Sequence, residues 1–293
     1  MHDPQHPRPP MRPPLRHWLA VARAGVQRTI LLLALSVGSL SLDGTALSAG
    51  TAPTDEGYFT AARERLVKEI EGDVALTSGA LGTDHLDPAV MHALRTVPRE
   101  EFVPPRLRAQ AYLNSPLPIG EGQTISQPYI VAVMSQLAGV QAGDRVYELG
   151  TGSGYQAAVL AAMGVAVYSV EIVPELAERA AATLKRLGYD SVHVRAGDGY
   201  LGWPEAAPFD AVLVTAAHPE IPRPLVEQLR VGGRLVMPVG GVYETQQLTV
   251  FTKQPDGTLQ RRRVLPVRFV PVTGAGARGK APPGGAIPED VTR

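Results

Sequence analysis

The sequence has 293 residues, and its 28 basic and 28 acidic side chains give a formal net charge of zero at neutral pH. This balance argues against a nucleic-acid-binding protein that depends on a broad basic surface. The chain contains no cysteine, which excludes disulfides, thiolate metal sites and a cysteine nucleophile. Its length is sufficient for one large domain or two small ones.

The first 55 residues do not have the pattern of a folded core. A proline- and arginine-rich stretch precedes an apolar run at residues 30–42, which is too short to span a bilayer comfortably. Small residues follow within 46–49. A basic stretch, then an apolar stretch, then small residues, as found over about residues 12–49, is the order of a secretory signal. A disordered extension, or a start codon assigned too early, accounts for the segment equally well, since Met11 is a second candidate start.

Residues 56–140 are predicted to contain helices interrupted by a long loop. Apolar side chains recur at helical spacing in residues 60–71. Asp87 followed by Pro88 predicts a capped helix start, with the helix reaching residue 97. Residues 98–128 are rich in turn-forming residues and predict an irregular loop, which in a compact domain is usually functional or disordered.

Between residues 140 and 240, short apolar runs alternate with helical segments, which predicts an α/β fold with a doubly wound parallel sheet. The predicted strands are residues 146–149, 166–170, 192–195, 211–214 and 234–240, and the predicted helices are 130–137, 155–162, 174–187 and 222–229. Residues 247–253 and 262–272 flank a Pro-Asp-Gly turn and predict an antiparallel C-terminal hairpin. The tail at 274–293 has the composition of a disordered segment.

The central motif is ELGTGSGYQ, in which a predicted strand leads through a glycine turn into a helix. Gly150, Gly152 and Gly154 permit positive φ angles and let a ligand approach bare backbone. A dinucleotide-binding motif would have a small residue at the position of Tyr155, and a carboxylate at Glu148 would repel a pyrophosphate. A cationic ligand without phosphate, such as S-adenosylmethionine, fits this pattern better. A purely structural turn is the alternative.

Acidic residues follow each of the first three predicted strands of the sheet. They are Glu148, Glu171 and Asp198, and the carboxyl ends of parallel strands meet at one edge, where ligands bind in this fold class. Glu171 lies 21 residues after Gly150, a spacing at which an acid commonly binds ribose hydroxyls. We therefore expect the three acids to converge on one site.

These motifs resemble class I S-adenosylmethionine-dependent methyltransferases and, more narrowly, the protein-L-isoaspartate (D-aspartate) O-methyltransferase family. The resemblance covers about residues 60–272 and is carried in order by VPREEFVP, GQTISQP, GTGSGYQ, GDGYLGW, FDAVLVTAA, GGRLVMPVG and VRFVPV. It implies a single Rossmann-like methyltransferase domain over 56–273, with a helical and lid part at 56–140 and a cofactor-binding sheet at 141–273.

The resemblance also implies roles for individual residues. Ser126 matches the active-site serine. The residues implied to bind the cofactor S-adenosylmethionine are Thr124, Ile125, Glu148, Gly150, Thr151, Gly152, Ser153, Gly154, Glu171, Asp198, Gly199, Thr215 and Gln246. Among them the three turn glycines would hold the methionine part, Glu171 the ribose, and Asp198 with Gly199 the adenine.

The implied substrates are isoaspartyl and D-aspartyl residues in damaged proteins and peptides, whose free carboxylate is methylated for repair. A carboxylate is already ionised at neutral pH and needs no strong base to attack a methyl group. We therefore expect the Ser126 hydroxyl to orient the acceptor and not to act as a nucleophile, since no partner base accompanies it in the sequence.

Other interpretations remain open at this point. The chain could methylate another carboxylate, a small molecule or a nucleic acid, although an amino-methylating enzyme would carry an N/D-P-P-Y/F motif in place of the sequence from Thr215 to His218. It could also be a non-catalytic binding protein, or a nicotinamide oxidoreductase, which Tyr155 disfavours. We expect no metal, no nucleic-acid partner, no stable membrane anchor and a monomer. We expect a cytoplasmic location, where the cofactor is made, with a periplasmic or exported location as the alternative if the signal-like segment functions.

Overall fold

The computed structural model describes residues 55–241 and 244–274, and the signal-like segment and most of the C-terminal tail lie outside the described residues. The described chain begins with three helices, α1 (Asp55–Leu76), α2 (Ser78–Leu81) and α3 (Pro88–Thr96). The Asp87 carboxylate accepts a hydrogen bond from the backbone N–H of Ala89 at 2.7 Å, which satisfies a donor that the first turn of a helix leaves unpaired. The predicted cap of this helix is therefore confirmed.

The segment predicted to be an irregular loop is ordered secondary structure. It contains two short 3-10 helices, Arg99–Phe102 and Pro105–Gln110, and a two-stranded antiparallel hairpin of β1 (Leu117–Gly120) and β2 (Gln123–Ile125). We call residues 117–125 the lid hairpin. Its tip reverses direction through Glu121, whose φ of 52° is left-handed. Because β1 has only four residues, its alternating pattern is too short to be recognised in the sequence.

Helix α4 (Pro128–Ala138) leads from the lid hairpin into the main sheet. The strands of this sheet are β3 (Arg145–Leu149), β4 (Ala166–Glu171), β5 (Val192–Ala196), β6 (Phe209–Val214), β7 (Leu229–Val239), β8 (Gln246–Lys253) and β9 (Leu259–Val267). The connecting helices are α5 (Tyr155–Ala162), α6 (Pro174–Arg186) and α7 (Arg223–Glu227).

Within the described residues the main sheet has seven strands in the order β5-β4-β3-β6-β7-β8-β9. Strands β3 to β7 pair in parallel, and β8 and β9 are antiparallel. This arrangement confirms the predicted doubly wound fold with its antiparallel C-terminal hairpin. The chain winds outward in opposite directions from β3 and β6, so the switch point, where ligands bind in such sheets, lies between these two strands.

Hydrophobic cores lie on both faces of the sheet, because successive side chains of a strand point to opposite faces. On β3, Val146 joins the larger core beneath most of the helices, whereas Tyr147 joins the smaller core with Phe209 and Leu225. Burying an aromatic or leucine side chain of this kind contributes about 1.5–3 kcal/mol. The sheet is thus fixed from both sides, and its carboxyl edge is a rigid platform.

The last predicted strand ends earlier than the sequence indicates. Residues 262–272 were expected to form one strand, but β9 ends at Val267. The Gln246 side chain then takes the place of a neighbouring strand, since its Oε1 accepts from Phe269 N at 2.6 Å and its Nε2 donates to Phe269 O at 3.3 Å. Beyond this point Val272 pairs with Ala217, which follows β6. This crossing carries residues 268–272 to the carboxyl edge of the sheet.

Candidate active site

A cleft of about 800 Å³ lies at the carboxyl ends of β3, β4 and β6, beneath the lid hairpin. Of the residues predicted for the site, those that line this cleft are Thr124, Ile125, Ser126, Gly150, Thr151, Gly152, Ser153, Glu171, Asp198, Gly199 and Thr215. We call it the nucleoside cleft because its position corresponds to the nucleotide-binding edge of this fold class.

The floor of the nucleoside cleft is the glycine turn after β3. Gly150 has a φ of 98°, and a Cβ atom there would lie 2.5 Å from Thr215 Oγ1. The Thr215 hydroxyl makes short contacts to the carbonyl oxygens of Leu149, at 2.9 Å, and Gly150, at 2.6 Å. The end of β6 therefore holds the turn in place, and only glycine fits at its first position.

The Glu171 carboxylate lies in the wall of the cleft in a fixed orientation. Its Oε2 accepts from Gly152 N at 2.8 Å and its Oε1 accepts from Val173 N at 3.0 Å. A carboxylate has about four lone-pair sites, so each oxygen can accept one further hydrogen bond. These sites suit a pair of neighbouring hydroxyl groups.

Asp198 and Gly199 form the next part of the wall, after β5. Asp198 Oδ1 accepts from Tyr200 N at 3.0 Å, and Tyr147 donates from its hydroxyl to Gly199 O at 2.6 Å. A Cβ atom on Gly199 would lie 2.7 Å from Leu149 Cγ. The backbone here is pressed against the end of β3, which leaves a flat surface suited to a planar ring.

Glu148 does not line the nucleoside cleft, contrary to the prediction that it contacts the cofactor. It is completely buried beneath the glycine turn, and this burial raises its pKa to about 8, with the nearby Glu171 adding to the rise. Ser169 donates to Glu148 Oε2 at 2.5 Å, and the Thr151 and Ser169 hydroxyls are 2.6 Å apart. Glu148 is thus mainly a neutral acid at pH 7, connected to the cleft only through Ser169 and Thr151.

Gly154 and Gln246 also lie outside the lining of the cleft. Gly154 has a φ of 88°, and a Cβ atom there would lie 3.1 Å from Leu184 Cδ1, so this glycine lets α5 pack against α6. Gln246 is completely buried and binds the backbone of Phe269 as described above. Both residues therefore have structural roles, and their contacts with the cofactor stay predictions.

The lid hairpin forms the roof of the nucleoside cleft. A Cβ atom on Gly152 would lie 3.7 Å from Ile119 Cδ1, so the hairpin approaches the glycine turn closely. Arg179, on α6, donates to Ile119 O at 2.8 Å. The hairpin is therefore attached near its tip to the opposite side of the cleft.

A second cleft of about 1,010 Å³ opens beside the first, and we call it the acceptor cleft. The two clefts share Thr124, Ser126, Thr215 and Val270. The Ser126 hydroxyl has no hydrogen-bond partner among residues 55–241 and 244–274, and it can therefore donate to a ligand at this junction. The position of Ser126 fits a group that orients the acceptor.

Several residues of these clefts have no signal in the sequence pattern. Arg268 is the charged residue of the acceptor-cleft lining, and Val270 and Val272 close the nucleoside cleft. They reach the site only because the chain leaves the sheet after β9, which no periodicity in the sequence indicates. Only the family resemblance of VRFVPV marks this segment.

Two further observations concern the described residues as a whole. They contain no group of three histidine, aspartate or glutamate side chains placed to hold a metal ion. Among the helices of residues 55–241 and 244–274, none combines the length and the apolar character needed to cross a membrane.

Comparison with known proteins identifies the family. The family described as "Protein-L-isoaspartate(D-aspartate) O-methyltransferase (PCMT)" matches residues 82–277. The chain belongs to this family. The resemblance carried by the sequence motifs is therefore confirmed, and S-adenosylmethionine, the predicted cofactor, is the methyl donor that the family uses.

Individual relatives match over most of their length. Protein-L-isoaspartate O-methyltransferase 2 of Syntrophobacter fumaroxidans is 53% identical over 250 residues, which cover 85% of this chain and 97% of that protein. The protein-L-isoaspartate O-methyltransferase of Gloeobacter violaceus is 60% identical over 185 residues, which cover 63% of this chain and 90% of that protein.

Solved structures of the family share the fold. One protein-L-isoaspartate O-methyltransferase structure superposes with a TM-score of 0.63 and 30% identity, covering 73% of this chain and 67% of that chain. A Plasmodium falciparum structure described as a member of the family, in complex with S-adenosyl-L-homocysteine, gives a TM-score of 0.59 at 24% identity. It covers 73% of this chain and 98% of that one. At this identity the second match supports the fold alone.

Proposed function

We propose that this chain transfers a methyl group from S-adenosylmethionine to the free carboxylate of L-isoaspartyl, and also D-aspartyl, residues in damaged proteins and peptides. The observation that carries the proposal is the junction of the two clefts at Ser126, in a chain that belongs to the isoaspartyl methyltransferase family. One cleft is built for a nucleoside, and the other is open enough for a peptide.

The residues of the nucleoside cleft fit the cofactor. Gly150 and Gly152 present bare backbone that a Cβ atom would obstruct or strain, which suits the amino-acid part. Glu171 has lone pairs directed into the cleft for the ribose hydroxyls, and Asp198 with Gly199 would hold the adenine. When bound, S-adenosylmethionine supplies an electrophilic methyl group on a positively charged sulfur.

The chain's own task is to place the acceptor and to exclude water. An isoaspartyl carboxylate is ionised at neutral pH, so the site needs no general base. The Ser126 hydroxyl can donate to one carboxylate oxygen and leave the other directed toward the nucleoside cleft. The lid hairpin covers the junction, and correct placement of two reacting groups alone can lower a barrier by about 7–11 kcal/mol.

Methyl transfer to a matched pair of peptides tests the proposal. The peptides differ only in aspartate or isoaspartate at one position, and label from S-adenosylmethionine is counted in base-labile methyl ester. We expect labelling of the isoaspartyl peptide only. Equal labelling of both would point to a methyltransferase for another carboxylate or a small molecule, and no labelling of either would reject the proposal.

We also propose a cytoplasmic location and a monomeric state, as expected from the sequence. A cytoplasmic location is supported by the need for S-adenosylmethionine, which is made there. N-terminal sequencing of the protein purified from its native cells tests this point, because a chain beginning near residue 50 would indicate export. Light scattering at several protein concentrations tests the monomer.

A further inference from the structure

Arg99 is a charged side chain that is completely buried and forms no ion pair within the described part of the chain. The adjacent acid, Glu100, is engaged instead by Arg63 and Tyr112. Burial lowers the pKa of Arg99 to about 10, so the guanidinium is still charged at neutral pH. Burying a charge without a carboxylate partner is costly unless hydrogen bonds replace its hydration.

The hydrogen bonds of Arg99 go to the main chain on both sides of the lid hairpin. Its Nε donates to Ala111 O at 2.8 Å, before the hairpin, and its Nη2 donates to Ser126 O at 2.8 Å, directly after it. A guanidinium holds its donors in one rigid plane. A single side chain therefore fixes both ends of the segment that forms the roof of the site.

The same guanidinium contacts the floor of the site. Its Cζ lies 4.7 Å from the centre of the Tyr155 ring, a distance at which a cation is attracted to an aromatic face. Tyr155 is the first residue of α5, immediately after the glycine turn, and it lines the nucleoside cleft. Arg99 thus connects the main chain of Ser126 to the element that holds the cofactor.

We propose that Arg99 is a positioning residue for methyl transfer, which acts by fixing the main chain of Ser126 relative to the glycine turn. The inference rests on the proposed function, in which the Ser126 hydroxyl orients the acceptor. Arg99 touches neither cleft, so its effect on the reaction passes through Ser126. A displaced Ser126 would still leave the glycine turn and Glu171 of the nucleoside cleft in place.

The first test replaces Arg99 in the full chain. In Arg99→Met the apolar stem is kept and both hydrogen bonds are lost, and we expect kcat per folded molecule to fall about 100-fold, the loss that a misplacement of about 1 Å can cause. We expect the Kd for S-adenosylhomocysteine to change much less than kcat, because both hydrogen bonds lost go to main chain flanking the lid hairpin and not to the glycine turn. Arg99→Lys keeps the charge but cannot hold two carbonyl oxygens in one plane, so its kcat should lie between these values.

A matched control separates positioning from a general loss of stability. Arg63→Met removes another arginine of the N-terminal part of the domain, which is half-buried. Its side chain donates to the Tyr112 hydroxyl and to Arg95 O but not to Ser126. It should lower the melting temperature while kcat per folded molecule stays within about twofold of wild type. A fall in kcat equal to that of Arg99→Met would overturn the inference.

A double-mutant cycle with Ser126→Ala gives the decisive measurement. If Arg99 acts through Ser126, then Arg99→Met should have little effect on kcat once the hydroxyl is absent, since residues that act as a unit are not additive. If the two substitutions instead lower kcat by independent factors that multiply in the double mutant, the inference about Arg99 is overturned and the proposed function is unaffected. If Arg99→Met does not fold, the same cycle is measured with Arg99→Lys. Wild-type enzyme that ignores isoaspartyl peptides would instead reject the proposed function.

Discussion

The floor and the roof of the nucleoside cleft are built in different ways. The floor consists of strand ends and the glycine turn, where Glu171 and Thr215 bind main-chain atoms and the strand residues beneath the turn are buried. The roof is a hairpin of two short strands whose apolar side chains, Leu117, Ile119 and Ile125, pack into the larger core. Arginine side chains bind its main chain, Arg99 at its base and Arg179 near its tip.

This difference suggests that the floor binds the cofactor and that the roof is the part that moves when the cofactor enters or leaves. A floor fixed by many short hydrogen bonds opens only when the domain unfolds, whereas the tip of the roof, which is exposed at residues 120–122, can open locally at a smaller cost. The two roof contacts also differ from each other, since Arg99 is completely buried and Arg179 is exposed. We therefore expect substitutions in the floor to abolish cofactor binding. Substitutions at the tip of the roof should change the rate at which the cofactor binds and leaves.

The largest effect is expected for Gly150→Ala. The new Cβ would lie 2.5 Å from Thr215 Oγ1 at a φ of 98°, so the turn must move. Calorimetric titration with S-adenosylhomocysteine should show an affinity loss of at least about 100-fold, equivalent to ~2.8 kcal/mol. Gly188→Ala is the matched control, because its φ is also positive, at 79°, but no atom lies within 4 Å of the added Cβ. Normal affinity in Gly150→Ala would show that the floor is deformable.

Glu171→Gln should have the next largest effect. The variant keeps the size of the side chain but replaces one acceptor oxygen by an NH₂ group, which faces a backbone N–H or the ligand. We expect the Kd for S-adenosylhomocysteine to rise about 10- to 100-fold, since hydrogen bonds to charged groups contribute about 1.5–3 kcal/mol.

An analogue lacking the ribose hydroxyls localises this effect. It should bind wild type and Glu171→Gln with similar affinity, because the contact in question is absent from both complexes. Glu175→Gln, an exposed acid on α6, should bind the complete ligand normally. If the variant loses affinity equally for both ligands, the ribose contact is refuted.

Glu148→Gln tests the buried acid of the floor through pH. Its folded-state pKa is raised to about 8 from its usual 4.5, so the folded state binds this proton more tightly than the unfolded state. Wild-type stability should therefore fall as the pH rises from about 4.5 to about 8, and Glu148→Gln should lack this loss. At pH 8 we expect the variant's free energy of unfolding to exceed that of wild type by at least ~1.4 kcal/mol, the equivalent of one pKa unit.

Urea denaturation at several pH values measures this difference. The exposed Glu178→Gln, on α6, is the control and should follow the wild-type pH dependence. Parallel curves for wild type and Glu148→Gln would mean that the acid is ionised in the folded protein at neutral pH.

The smallest effect is expected for Arg179→Met. It removes the partly buried hydrogen bond to Ile119 O near the tip of the lid hairpin, a contact of about 1 kcal/mol. Stopped-flow displacement should show S-adenosylhomocysteine leaving about fivefold faster, consistent with that energy. Lys185→Met, at an exposed position on the same helix, should leave the rate unchanged. If the dissociation rate is unchanged in Arg179→Met, opening of the hairpin tip does not limit the release of S-adenosylhomocysteine.

The floor of this site could be predicted from local patterns in the amino-acid sequence. Strand, glycine turn and helix are local patterns, and parallel strands necessarily bring Glu171, Asp198 and Thr215 to one edge. The same local rules identified the cap at Asp87. The family motifs further marked Ser126, whose place at the junction of two clefts could not be read from spacing.

The roles of Glu148, Gln246 and Arg99 depend instead on contacts that form only in the folded chain. Whether an acid faces a ligand or lies protonated beneath it depends on burial by distant segments, and here that burial raises the pKa of Glu148. Gln246 and Arg99 bind main-chain carbonyls that lie far along the chain or across a hairpin. Such contacts leave no periodic signal, because a polar side chain that serves a distant backbone looks in sequence like any other exposed residue.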